Sequence, residues 1–169
     1  MRTKENLYPT LRIAALALLF LFTAAVQNSF LSNYSVPLVL LVPLTVSVCS
    51  FEGEFAGVFF GIAGGALYDI ASPVSDGVFT LLFGIIGCAA GLIMRYVFRS
   101  TFLSVFLLTL AASLLTNLTS FVFTVILRDA SNAAEIFLKF YLSGAFFTAL
   151  ILPVFYYPVK FLEARLKKL

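Results

Sequence analysis

Few residues in this chain are of a type that does chemistry. Glu52 and Glu54 flank Gly53, and a close pair of carboxylates is what general acid and base catalysis uses. Asp69 closes the run Gly53-Glu-Phe-Ala-Gly57-Val-Phe-Phe-Gly61-Ile-Ala-Gly64-Gly65-Ala-Leu-Tyr-Asp69, in which glycines recur every four residues. Thr109, Ser113, Thr116, Ser120 and Thr124 recur every three or four residues, with Asn117 beside them, so hydroxyls line one helical face. Cys49 and Cys88 are the two thiols, each alone in an apolar stretch and read as buried side chains. The chain has no histidine. Without one, the carboxylate pair has no nucleophile or metal ligand beside it, and the cysteines form neither a metal motif nor a disulfide framework. No phosphate-binding loop or nucleotide fingerprint occurs either. The residues therefore predict no enzyme, no cofactor and no metal site.

The elements that carry these residues are membrane helices. Of 169 residues, 62% are hydrophobic and only 11% charged, and the mean hydropathy is +1.07. A soluble globular chain carries about a quarter charged residues. Six apolar segments are expected, at about 11–27, 36–50, 55–71, 78–98, 102–127 and 138–159, in a single integral membrane domain spanning 1–169. The first is read as a membrane helix and not as a signal peptide, because further spans follow it. The second holds Pro37 and Pro43 and is too short to cross unaided, so it is expected to be short, kinked or packed among its neighbours.

The net charge of +3 reports topology and not nucleic-acid binding, since Lys and Arg gather at the ends of apolar segments. Six spans with both termini cytoplasmic put Arg2, Lys4, Arg12, Arg95, Arg99, Lys160, Arg165, Lys167 and Lys168 inside, against Arg128 and Lys139 outside. The expected fold is thus an all-α polytopic bundle of six transmembrane helices. Glu52 and Glu54 fall in its short inner turn, where negative charge suits the start of the following helix.

Glycines four apart let two membrane helices approach until backbones touch. Gly53, Gly57, Gly61 and Gly65 form one such edge, and Gly84, Gly87 and Gly91 form a second in the next helix. These two helices are natural partners, and the edge serves either packing within the chain or a surface for another membrane protein. Asp69 lies towards the outer end of its span, where a carboxylate needs water, a partner or a backbone donor. With Ser72, Asp76 and Gly77 it is expected to shape an outer loop; partner binding and proton transfer are the alternatives. The hydroxyl face of the fifth span either hydrogen-bonds inward or lines a substrate path.

The run from Gly57 through Asp69 and Ser72 to Gly77 resembles the central segment of the bacterial rod shape-determining MreD family, where glycines lead to Leu-x-Asp and a small-residue loop ending in Gly. Gln27 ending the first span, Pro37 opening the second and the short basic tail agree, while Leu38 stands where the family often has an acidic residue. The resemblance implies a non-enzymatic subunit of the cell-elongation machinery in the bacterial cytoplasmic membrane. It further implies binding to an MreC-like membrane protein and, through it, to the actin-like MreB filament, the SEDS glycosyltransferase and its transpeptidase. In that family Gly57, Gly61, Gly65, Asp69 and Gly77 would shape the central helix and outer loop. The family is similar in fold to the substrate-binding subunits of energy-coupling-factor vitamin transporters, so a vitamin-binding subunit is the alternative. Against it, Ala14, Ala15, Ala17, Ala24 and Ala25 contain no pair four apart of the kind with which those subunits dock their energising module.

Overall fold

The computed structural model describes residues 7–31, 38–71, 77–96, 101–126, 135 and 137–166, and the described residues are all-helical. Ser72, Asp76, Arg2, Lys4, Arg99, Arg128, Lys167 and Lys168 lie outside them. The helices are α1 (Leu7–Val26), α2 (Leu41–Glu52), α3 (Glu54–Ala71), α4 (Val78–Tyr96), α5 (Phe102–Phe121), α6 (Leu142–Leu150) and α7 (Leu152–Leu166). Wider π-helical turns extend α1 (Gln27–Leu31) and α5 (Val122–Ile126) and lead into α6 (Phe137–Tyr141).

Among the described residues five stretches are long and apolar enough to cross a membrane: Arg12–Ser29, Glu54–Ala71, Val78–Tyr96, Phe102–Val125 and Phe137–Leu162. They mark the chain as a membrane protein. The sixth apolar helix, α2, has 12 residues, or roughly 18 Å at 1.5 Å per residue. It is short and packed among its neighbours: every residue from Leu41 to Cys49 is buried. Pro43 lies in its first turn, where the missing N–H has no helical acceptor to lose, so it does not kink the helix.

The last apolar segment, expected as one helix, is broken between Leu150 and Leu152. Pro153 supplies the reason, because it cannot donate to the Ala149 carbonyl one turn back. Ile151 closes α6 through a hydrogen bond from its N–H to the Phe147 carbonyl at 3.2 Å, and Val154 restarts the ladder by donating to Ile151 at 3.0 Å.

Around α2 the core is built from Phe20 of α1, Phe83 of α4, Val105 of α5 and Leu152 of α7, all nearly inaccessible. Burial in a bilayer gives no hydrophobic drive between helices, so close contact must hold them. The outward faces stay apolar, as at Leu18, Phe22, Phe59, Leu81 and Phe146. A smaller cluster of Phe121, Val125 and Tyr141 joins α5 to the turn before α6.

Candidate functional site

The closest approach in the fold is the antiparallel seam between α3 and α4, and the glycine edges make it. A methyl group on Gly57 would lie 2.6 Å from the Gly87 carbonyl oxygen and 2.9 Å from the Cys49 sulfur. On Gly61 it would strike the Phe83 carbonyl, and on Gly65 the Phe79 carbonyl and the Thr80 Cα. In return, Gly87 lies against the Gly57 carbonyl, and a methyl on Gly91 would be 2.5 Å from the Glu54 Cα. Backbone thus meets backbone along the whole seam, with dispersion and weak Cα–H contacts as the cohesive terms. Gly84 is looser, facing only the Ile62 side chain at 3.0 Å. Gly64 looks the other way, toward Phe20 and Thr45, and admits α1 and α2.

Gly53 shares the four-residue spacing but not the role. Nothing lies within 4 Å of where its Cβ would be, and its φ of +88° belongs to the left-handed region that glycine tolerates. It is the turn residue that ends α2 and lets α3 start one residue later. Gly77, φ +84°, does the same before α4, where its carbonyl accepts from the Leu81 N–H at 3.3 Å.

One end of the seam is fixed by Asp69. From the last turn of α3 its carboxylate accepts the backbone N–H of Phe79 at 3.3 Å, and the N–H and hydroxyl of Thr80 at 2.7 and 2.5 Å. These N–H groups belong to the first turn of α4, where a helix has no internal acceptors. Asp69 therefore caps α4 from a neighbouring helix, with its negative charge at the positive end of the dipole. Of the residues expected to shape the outer loop, Asp69 and Gly77 both meet the start of α4, and Ser72 and Asp76 fall outside the described residues.

At the other end, Glu52 and Glu54 each meet an arginine from another helix. Arg12 of α1 approaches Glu52 at 2.5 Å, and Arg95 of α4 bonds Glu54. Four charges thus gather at one end of the bundle, and three of them, Glu52, Glu54 and Arg95, line a pocket of about 370 Å³ together with Ser50 and Met94. Spacing along the chain did not reveal these pairs, which join residues some forty positions apart. The available signal was topological, since Arg12, Arg95, Glu52 and Glu54 were all assigned to the same membrane face.

Between the ends, the start of α2 sits inside the protein. Its free N–H groups are met by side chains: Gln27 Oε1 accepts from Leu41 at 3.3 Å and Thr148 Oγ1 accepts from Val39 at 3.3 Å. A helix can begin inside a membrane protein only if such groups are satisfied. From sequence Gln27 was noted only as the end of the first span and Thr148 not at all, because the helix they serve was expected to begin earlier.

The hydroxyls of α5 mostly turn back on their own helix. Thr109 donates to the Val105 carbonyl at 2.7 Å and Thr116 to Ala112 at 2.9 Å, while Ser113 also reaches Ala145 of α6 at 3.1 Å. Asn117, 1% exposed, has no hydrogen-bond partner for either amide atom among the described residues. Cys49 is buried and Cys88 half-buried, both as free thiols. Among the described residues no three His, Cys, Asp or Glu side chains gather as metal ligands. Compared with known proteins, the chain matches no family model, no curated protein and no solved structure.

Proposed function

We propose that this chain is a non-enzymatic membrane scaffold of the bacterial cell-elongation complex, of MreD type, which supports lateral peptidoglycan synthesis by holding an MreC-like protein. Through that partner it would join the MreB filament, a SEDS glycosyltransferase and a transpeptidase. The observation that carries the reading is the α3–α4 unit. The stretch that resembles the family, Gly57 to Gly77, coincides with the most closely packed seam and the Asp69 cap. That residue pattern is thereby given a mechanical role, a rigid helix pair on which a partner can be mounted. The gathering of Arg12 and Arg95 at one end supports six spans with that end and both termini in the cytoplasm of an inner membrane.

Depleting the chain in its bacterial host tests this. Rods should widen and round up as lateral wall synthesis fails. Unchanged width and growth would exclude a part in elongation.

The buried amide of Asn117 favours one second reading, a subunit that binds a small polar molecule such as a vitamin. A retained vitamin or an associated ATPase after purification in mild detergent would select it.

A further inference from the structure

Near the start of α2 at Leu41, α1 and α7 face each other across a gap. An apolar groove of about 430 Å³ results, walled by Leu19, Phe22, Thr23, Val154 and Phe155 with Leu40 at its side. A smaller hollow lined by Ala15, Leu16 and Leu162 shares Leu19 and Pro158 with it and continues it toward Arg12. From Val26 to Ala15 the path runs eleven residue steps along α1, roughly 16 Å. The Thr23 hydroxyl is already engaged by the Leu19 carbonyl at 2.7 Å, so the groove wall presents no demand for water.

We propose that this groove holds one acyl chain of an anionic phospholipid, with the headgroup at the Arg12 end. Two observations select that occupant over a partner helix. The walls of the main groove are bulky and contain no glycine or alanine, whereas helices associate in membranes through small residues; a flexible chain fits an irregular bulky channel. The second is charge. The groove lies between the helix that opens the chain and the helix that closes it. Arg2, Lys4 and Arg12 accompany the first, and Lys160, Arg165, Lys167 and Lys168 the second, seven of the eleven basic residues. Glu5, Glu52 and Glu163 are the acids nearest them in sequence or by ion pair, leaving a positive excess.

The absence of tryptophan from the chain makes a single introduced one a clean reporter. Phe22→Trp, in the groove, and Phe146→Trp, on the outer face of α6, are each reconstituted in phosphatidylcholine vesicles with a minor share of phosphatidylglycerol. One lipid or the other carries brominated chains. Per brominated molecule, phosphatidylglycerol should quench the Phe22→Trp reporter about fivefold more than phosphatidylcholine, the factor that one basic residue contributes near an anionic surface. The Phe146→Trp reporter should show no preference. Replacing the exposed Lys160, together with Lys167 and Lys168 further along the sequence, by Gln should lower the preference at Phe22→Trp. Equal quenching by both lipids at both positions would overturn the proposal, and so would protection from both lipids by a co-purified protein, which would assign the groove to a partner helix.

Discussion

Asp69 and Thr80 are joined twice: one carboxylate oxygen of Asp69 accepts the Thr80 backbone N–H at 2.7 Å and its hydroxyl at 2.5 Å. The aspartate sits on α3 and the threonine in the first turn of α4, so one side chain sets where the second helix begins. The glycine seam then continues from that point, since a methyl on Gly65 would lie 2.6 Å from the Thr80 Cα. Asp69→Ala should cost about 1 kcal/mol, up to about 2, the loss measured for helix N-caps. Asp69→Asn keeps an acceptor and should recover most of it. Thermal unfolding of the purified protein in detergent reads both, and equal melting of Asp69→Ala and wild type would remove the cap.

Within the seam, the glycines should differ in a way their spacing does not predict. Gly65→Ala drives a methyl into backbone that cannot rotate away and should destabilise by about 1–3 kcal/mol. Gly84→Ala meets only the flexible Ile62 side chain and should cost clearly less. The same unfolding assay compares them, and equal losses at the two positions would contradict the seam geometry.

The two ion pairs should also be unequal. Arg95 is 59% exposed, whereas Arg12 and Glu52 are 24% and 19%. A double-mutant cycle on Arg95 and Glu54 should give no more than about 1 kcal/mol, as exposed pairs do. The Arg12 and Glu52 cycle should give the larger coupling, and the reversed pair R12E with E52R should restore part of the stability lost by either alone. A larger coupling for Arg95 and Glu54 would reverse the ranking.

Asn117 should respond in the opposite direction. A buried amide without partners carries a desolvation cost of about 1–3 kcal/mol, so Asn117→Leu should raise the melting temperature. A fall would show that the amide is engaged.

Helix positions were legible because apolar runs in this chain are long and separated by short polar stretches. The pairing of α3 with α4 was legible too, since two consecutive helices both carry small residues at helical spacing. Spacing failed where a glycine served a dihedral angle: Gly53 continues the ladder in sequence, but its setting between two glutamates marks a turn. The Arg12 and Arg95 pairs were hidden because the basic residues were weighed for topology alone and never matched to acids on the same face. Pro153, which breaks the last segment, was readable and unused. Gln27 and Thr148 were out of reach, because their role exists only once α2 starts at Leu41.

The most direct test of scaffolding is quantitative recovery of an MreC-like membrane protein with the tagged chain from its own host in mild detergent, for wild type and for Gly65→Leu. Scaffolding predicts a near-stoichiometric MreC-like partner with wild type and a reduced yield of it with Gly65→Leu, whose α3–α4 seam is forced apart. Wild-type protein recovered without any wall-synthesis protein, carrying a vitamin or an ATPase module instead, would contradict it.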